Sequence, residues 1–212
     1  MPSDITGTVS DTLSGKTVVV AVTGSIAAVR TVDLIRDLIR RGSEVHCVMS
    51  AAAAQILHPY ALEYATAHPV ITGITGRVEH VLFCGVGGLA DLLLVCPATA
   101  NTIGKIACGI DDTAVTTFAT TALGSGKPVA VVPAMHEAMY RHPAVLRNLD
   151  ALRGMTDIPV LGVIDPAVRS LTQKAPRKST AGLIATKSTI ASHAYDAALE
   201  RHRGDQFLVS RA

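Results

Sequence analysis

The sequence contains no tryptophan, and aromatic residues make up only 3% of its 212 residues. Charged residues are also scarce, at 17%, and the formal net charge is only +2, so neither charge nor interleaved aromatic residues indicate a nucleic-acid-binding surface. Apolar residues reach 49%, and with so few aromatics the core must be aliphatic. Aliphatic residues fill sheet–helix interfaces, which favours an α/β fold.

Export and membrane signals are also missing. No signal-peptide hydrophobic region and no apolar run of about 18 residues occurs, so we expect neither an exported nor a membrane-spanning protein. Cys47, Cys84, Cys96 and Cys108 lack C-x-x-C spacing and lie in apolar segments, which is typical of buried thiols in the cytoplasm. We expect no disulfide and no metal site. Residues 1–15, rich in Ser, Thr, Asp and Gly, are predicted to be a disordered tail.

The first predicted strand, residues 16–22, ends in a turn that lacks both G-x-G-x-x-G and a P-loop. A helix to residue 41 and a strand over residues 44–49 complete a βαβ unit with a right-handed crossover. In the turn, Gly24 permits close backbone approach and Ser25 offers a hydroxyl at a positive helix end. A phosphate site and an ordinary turn capped by Ser25 explain these residues equally well.

Two further polar residues have alternative interpretations. Ser50 follows the second strand, either as a helix N-cap or as a hydroxyl at the same sheet edge as Ser25. A short helix and a loop are predicted over residues 58–76. His80 precedes a Gly-rich stretch, and a structural role and a general-base role are equally plausible because neutral imidazole is the usual base near pH 7.

The clearest central strand, residues 90–96, leads into a turn of small residues that contains Thr99, Asn101 and Thr102. Asn101 or Thr102 could cap the following helix. Two hydroxyls and an amide exceed what one cap needs, which favours a ligand. Helices are predicted over residues 103–109 and 111–123.

The strand predicted over residues 128–132 ends in Met, His and Tyr instead of the usual small residues. Adaptable and polar-tipped side chains line pockets, and strand ends of open α/β sheets bind ligands. A helix is predicted over residues 136–152. A last strand (159–164), a flap or loop (165–189) and an amphipathic helix (192–202) follow.

Four motifs in this order resemble the flavoprotein family of flavin-dependent cysteine decarboxylases, which includes phosphopantothenoylcysteine decarboxylase and the peptidyl-cysteine decarboxylases of lantibiotic biosynthesis. They are VTGSIAA (22–28), EHV (79–81), ADLLLVCPATANT (90–102) and PAMHEAMY (133–140). No single motif would suffice, but their combination is specific. The resemblance implies a Rossmann-like three-layer α/β/α fold with a mostly parallel sheet. The FMN-binding domain would span residues 16–164, and a C-terminal flap and helix residues 165–212.

The resemblance also implies roles for individual residues. His80 and His136 would be catalytic, and FMN would be bound at subunit contacts of a homotrimer or homododecamer. FMN would contact Gly24, Ser25, Ile26, Ser50, Ala98, Thr99, Asn101, Thr102 and Thr120. A small-molecule thiol substrate would contact Ala134, Met135, His136 and Met139.

The implied activity is FMN-dependent decarboxylation of 4′-phosphopantothenoylcysteine to 4′-phosphopantetheine, in coenzyme A biosynthesis. The sequence departs from the family in two places: His136 stands where Asn is usual, and no cysteine follows Cys108, whereas the coenzyme A enzyme uses a cysteine on its flap. Two alternatives are an FMN-binding oxidoreductase that transfers electrons and a non-catalytic trimeric relative.

Overall fold

The computed structural model describes residues 2–155, 168–169, 172–173, 180–184, 194–202 and 207–211. The chain divides into two units, Met1–Val160 and Leu161–Ala212. Of the helices described, none combines the length and the apolarity that crossing a bilayer would require.

The first unit is built on a parallel sheet whose strands lie in the order β2-β1-β3-β4. The strands are β1 (Thr17–Val22), β2 (Glu44–Met49), β3 (Leu92–Ala98) and β4 (Val129–Pro133). In the register, Val18 of β1 pairs with Val45 on one side and Leu92 on the other. Nearly continuous runs of Val and Leu form these strands, as expected where both faces are covered. The predicted α/β class is confirmed.

Helices connect the strands and cover both faces of the sheet. They are α1 (Thr31–Arg40), α2 (Ala51–Ala54), α3 (Pro59–Thr66), α4 (Glu79–Cys84), α5 (Ala100–Ala107), α6 (Ala114–Gly124), α7 (Glu137–Tyr140) and α8 (Pro143–Met155). Two 3-10 helices, Pro2–Asp4 and Ile26–Arg30, precede α1.

Alternate residues of each strand enter two separate hydrophobic clusters. Val18 and Val20 pack in one cluster with Ile35 of α1, together with residues of α2 and α3. Val19 packs in the other with Phe118 of α6, together with residues of α4, α5 and α8. Because successive strand residues point to opposite faces, this alternation produces three layers, as predicted.

The helix predicted over residues 136–152 is two helices, α7 and α8. Pro143 lacks the N–H that continuing α7 would require, and it begins α8 instead. His142 caps the new helix, since its Nδ1 accepts a hydrogen bond from Ala144 N at 3.1 Å.

Residues 2–15 differ from the disordered tail that was predicted over residues 1–15. Backbone amides of Gly7, Val9 and Leu13 donate to carbonyl oxygens of Ile39, Arg40 and Arg41, at 3.1, 2.9 and 2.9 Å. The last carbonyls of a helix have no partner within the helix, so the segment supplies donors at the end of α1. Such long-range pairing leaves no trace in local composition.

The described parts of the second unit include α9 (Ala194–Arg201), within the predicted helix over residues 192–202. Strands β5 (Thr180–Ile184) and β6 (Phe207–Arg211) pair in parallel. The predicted flap or loop over residues 165–189 therefore contains a strand, whose partner lies beyond α9 and could not be inferred locally. The strand predicted over residues 159–164 lies outside the described residues.

Candidate active site

The carboxyl ends of the four parallel strands lie side by side. They lead into turns that begin at Ser50, Thr23, Thr99 and Ala134, given in the spatial order of the strands. From β1 the chain goes to β2 on one side, and later enters β3 on the other side. The sheet therefore has a topological switch point between β1 and β3, the place where open α/β sheets bind ligands.

Thr23 connects the two strand ends at this switch point. It is buried, its Oγ1 donates a hydrogen bond to Pro97 O at 2.6 Å, and the same Oγ1 accepts one from Thr99 N at 3.0 Å. No role for Thr23 was predicted from the sequence. Its partners lie 74 and 76 positions along the chain, so only the sheet order reveals the contact.

Two backbone hydrogen bonds extend this connection to the outer strands. Ser50 N donates to Val22 O at 3.0 Å, and Ala134 N donates to Ala98 O at 2.9 Å. Hydrogen bonds thus link the four turns into one row along the carboxyl end of the sheet.

Gly24 lies where the first turn approaches α2. A Cβ at Gly24 would lie 2.5 Å from the Cβ of Ala52, closer than carbon atoms can approach. The next residue, Ser25, accepts a hydrogen bond from Ala27 N at 3.4 Å, and Ile26 is 77% exposed. The capped turn is thus present, and the phosphate role of this turn stays a prediction.

Ser50 caps α2 by accepting a hydrogen bond from Ala53 N at 3.2 Å, which confirms the predicted N-cap. It also borders a cleft of about 440 Å³. The polar residues that line this cleft are Ser50, Thr72, Asp111, Asp112, Thr113 and Thr117. Apart from Ser50, none of them was predicted from the sequence to belong to a site.

The turn after β3 uses its hydroxyls internally. Thr99 caps α5 by accepting from Thr102 N at 3.3 Å, and the two hydroxyl oxygens lie 3.1 Å apart. Thr102 is buried, whereas Asn101 is exposed in the first turn of the helix. Asn101 is therefore the side chain of this turn that solvent or a ligand reaches most readily.

Helix α6 begins at Ala114, and not at residue 111 as predicted, because Thr113 forms a capping box with Thr116. Thr120 lies within α6 and not in a strand-end turn. It is exposed, and six residues separate it from the first helical residue, or about 9 Å along the helix axis.

His80 is the second residue of α4, and its Nδ1 is buried without a hydrogen-bond partner among the residues that the structure describes. The preceding residues fix the start of this helix. Val78 has a φ of +46°, a strained conformation for a β-branched residue. Glu79 accepts hydrogen bonds from the Thr75 hydroxyl and from Thr75 N, which lower the pKa of the Glu79 carboxyl.

His136 caps α7, since its Nδ1 accepts a hydrogen bond from Ala138 N at 3.3 Å. In the neutral imidazole the proton then resides on Nε2, which makes Nε2–H a donor on this exposed side chain. Met139 is 51% exposed, whereas Met135 packs partly against the core. The turn therefore combines one polar donor with accessible thioether surface.

The Flavoprotein family model matches residues 6–193 of this chain. The chain belongs to the Flavoprotein family. This membership accounts for the four motifs and for the α/β architecture, and it confirms the resemblance inferred from the sequence.

Curated relatives of this flavoprotein include two archaeal proteins named coenzyme A biosynthesis bifunctional protein CoaBC. The one from Thermococcus kodakarensis is 57% identical over 150 residues, which cover 70% of this chain and 37% of the relative. The one from Methanocaldococcus jannaschii is 42% identical over 155 residues, covering 73% and 37%. The chain spans little more than a third of the length of these relatives.

Solved structures similar to this flavoprotein include two FMN-dependent cysteine decarboxylases. SpaF is 31% identical with a TM-score of 0.63, and the match covers 71% of this chain and 85% of SpaF. TvaF, from thioviridamide biosynthesis, is 30% identical with a TM-score of 0.62, covering 75% and 96%. A mutant PPC decarboxylase complexed with pantothenoylaminoethenethiol is 26% identical with a TM-score of 0.55, covering 69% and 81%.

Proposed function

We propose that this flavoprotein uses FMN to decarboxylate 4′-phosphopantothenoylcysteine, the step that yields 4′-phosphopantetheine in coenzyme A biosynthesis. The observation that carries the proposal is the hydrogen-bonded row of turns at the switch point, which contains three of the four family motifs. The similarity to CoaBC proteins and to a PPC decarboxylase complex supports the choice of substrate.

Two features of the chain fit FMN. The turn at Gly24 has no side chain in the way of a phosphate, and substitution by any other residue would push it against Ala52. His80 keeps a buried nitrogen without a partner among the described residues, which a ligand or a neighbouring subunit would satisfy. When bound, FMN supplies the oxidation at the thiol-bearing carbon that allows the carboxylate to leave.

One set of residues would bind the phosphate of FMN, and a second set would contact the rest of the cofactor. Gly24, Ser25 and Ile26 would hold the phosphate through backbone amides and the Ser25 hydroxyl. The remaining contacts would come from Ser50, Ala98, Thr99, Asn101, Thr102 and Thr120. Thr120 belongs to α6 and not to the row of turns, and it would contact FMN where two subunits meet.

The turn after β4 would bind the substrate. Because Ala138 N occupies Nδ1 of His136, its Nε2–H is free to donate a hydrogen bond to the substrate carboxylate. Ala134, Met135 and Met139 would enclose the thiol side chain. His80 would act as the base that accepts the proton from the substrate thiol.

Assembly would complete the site. Large apolar side chains are exposed on α4 and on the segments next to it, at Val78, Val81, Leu82, Val86 and Leu89. Exposed apolar side chains grouped in this way support a contact between subunits. We propose that this contact builds the homotrimer or homododecamer that the family resemblance implies, in the cytoplasm. Light scattering on the purified protein would give a mass of three or twelve chains.

A second candidate is an FMN-binding oxidoreductase that transfers electrons without loss of a carboxylate. It is favoured by the absence of cysteine from residues 109–212, because the coenzyme A enzyme uses such a cysteine to complete its reaction. Rapid reduction of bound FMN by a physiological donor, without release of carbon dioxide, would support this candidate.

The decisive experiment measures carbon dioxide release from 4′-phosphopantothenoylcysteine by the flavin-loaded protein. We expect His80→Asn to lower the rate by about 10²- to 10⁴-fold while the protein still binds FMN. His58→Asn is the matched control, because His58 caps α3 by accepting from Tyr60 N, and Asn retains such a cap.

The same assay tests His136. His136→Asn should preserve turnover, because Asn both caps a helix and offers an N–H donor, whereas His136→Ala should lower kcat/KM by about 10- to 150-fold. A flavin-loaded wild type without turnover would exclude the decarboxylase. An unchanged rate in His80→Asn would remove His80 from the mechanism.

A further inference from the structure

Three potential metal ligands converge on the outer edge of the sheet. Glu44 and His46 alternate along β2 and so share one face, and His68 follows α3. The segment that contains His68 returns beside β2, since Ile71 N donates to Cys47 O at 2.9 Å. His46 Nε2 and His68 Nε2 lie 3.1 and 3.5 Å from the same oxygen, Glu44 Oε1.

These separations match those between two ligands of one metal ion. Zinc bonds to imidazole nitrogen and carboxylate oxygen measure about 2.0–2.2 Å. Two such ligands are therefore about 3.0 Å apart at a right angle and about 3.4 Å apart in a tetrahedron. One ligand atom from each of Glu44, His46 and His68 lies within 4.8 Å of the other two.

We propose that Glu44, His46 and His68 bind one divalent transition-metal ion of the zinc class. Two imidazoles and one carboxylate suit such an ion, whereas calcium and magnesium prefer oxygen ligands alone. The side chain of His46 is only 15% exposed, so its ring is held in place, while Glu44 is 57% exposed and gives the ion access.

The surroundings leave room for further ligands. A cavity of about 220 Å³ borders Glu44 and His68 and is also lined by Ser43. Ser43 is 3% exposed, and its Oγ has no hydrogen-bond partner among the residues that the structure describes. Water bound to the ion in this cavity would complete its coordination and give Ser43 a partner.

Binding requires a small rearrangement of the two rings. The imidazoles of His46 and His68 stack with their centroids 4.1 Å apart and their planes inclined at 27°. Rotation about χ2, a soft torsion in His, turns their nitrogens toward a shared ion. His46 also contacts Phe83, with centroids 4.5 Å apart, so His68 is the ring that is freer to turn.

The ion would join β2 to the segment after α3, at the end of the sheet opposite to the strand-end turns. Six residues separate Glu44 from Ser50, or about 20 Å along the strand. The metal site is therefore independent of FMN. If the protein does not bind the metal ion, the proposed decarboxylase function is not affected.

The test is calorimetric titration with Zn²⁺ of protein freed of any purification tag, with Co²⁺ absorption as a second readout. We expect one ion per chain. Zinc at about 100 times its Kd should raise Tm by roughly 5–11 °C. His68→Gln and Glu44→Gln should each weaken binding at least about tenfold, which at the same zinc concentration reduces the shift in Tm to about half or less.

Matched controls are Glu63→Gln on α3 and His58→Asn at its N-cap, which remove the same functional groups outside the cluster and should leave zinc affinity unchanged. His46 is not substituted, because its packing on Phe83 makes misfolding a competing explanation. Equal zinc affinity in wild type and His68→Gln, or no binding at millimolar Zn²⁺, would overturn the site.

Discussion

The two ends of the parallel sheet differ in the chemistry that holds them. A charged residue lies at the amino end of each strand, either as its first residue or one or two positions before it. The four residues are Lys16, Glu44, Asp91 and Lys127. At the carboxyl ends the turns begin with uncharged residues, and these are Thr23, Ser50, Thr99 and Ala134. The amino end of the sheet therefore carries charged side chains, and the carboxyl end carries short uncharged ones.

At the amino end, charged side chains form hydrogen bonds to residues at the start of neighbouring strands. Asp91 accepts from Lys16 Nζ at 3.1 Å and from Thr17 N at 2.8 Å. Lys127 Nζ donates to the carbonyl oxygens of Gly88 and Ala90 at 2.6 and 2.8 Å. Exposed ion pairs contribute little to stability because water and salt screen them.

At the carboxyl end, the buried hydroxyl of Thr23 and backbone groups form the links. Breaking a buried hydrogen bond costs more, since the remaining partner is left without water. The carboxyl end of the sheet is the end proposed to bind FMN, a charged ligand. The first residues of its four turns are nevertheless all uncharged.

Thr23→Val should produce the largest loss of stability and so tests the neutral end most directly. Valine has the same shape but leaves Thr99 N without its acceptor, so we expect the free energy of unfolding to fall by about 2–4 kcal/mol. Urea denaturation of the FMN-free protein measures this. Thr23→Ser keeps the hydroxyl and should cost only about 1 kcal/mol. Equal losses in both variants would contradict the assignment, because only Thr23→Ser retains the hydroxyl.

Gly24→Ala should have an intermediate effect at the same end. The new Cβ would meet the Cβ of Ala52 at 2.5 Å, and such overpacking costs about 1–3 kcal/mol. Ala52→Gly removes the opposing atom and leaves backbone atoms at 3.2 and 3.4 Å, so the double variant should regain most of the loss. Denaturation and FMN titration should agree. Strictly additive effects of the two substitutions would show that the contact is not the cause.

Asp91→Asn should have the smallest effect and tests the charged end. The hydrogen bond from Thr17 N and the nearby Lys16 lower the pKa of Asp91 from its ordinary value of 3.8. The carboxylate therefore stabilises the fold above pH 3.8, and this contribution disappears as the pH falls through the lowered pKa. Tm values of wild type and Asp91→Asn should differ slightly at neutral pH and converge in acid.

Lys16→Gln separates the two partners of Asp91. Because the backbone hydrogen bond from Thr17 is the largest single cause of the lowered pKa of Asp91, this variant should retain part of the acid-dependent change in Tm. A pH-independent gap between wild type and Asp91→Asn would contradict the assignment.

Local patterns in the sequence predicted the elements and some caps. Continuous apolar runs predicted the strands, and the hydroxyl residue after β2 predicted the cap at Ser50. The cap of α5 is Thr99, and not Asn101 or Thr102 as the sequence suggested. Both signals depend on residues within a few positions of each other, so a single sequence contains them. The break at Pro143 was also predictable in principle, since proline begins helices more readily than it continues them.

Contacts between distant segments could not be predicted. The role of Thr23 depends on β1 lying next to β3, and the cluster of Glu44, His46 and His68 depends on the segment after α3 returning beside β2. No metal site was expected from the sequence, because its four cysteines lack C-x-x-C spacing. Side chains brought together by the sheet order carry no local signature.

The backbone of α7 determines which nitrogen of His136 carries its proton. Ala138 N occupies Nδ1, so the neutral ring presents only a donor to an approaching molecule. Such a turn distinguishes ligands by polarity: an anion or a carbonyl can accept from Nε2–H, whereas an ammonium group meets a like-signed dipole. An amine analogue that lacks the carboxylate should therefore be rejected at this turn even if it fills the same volume.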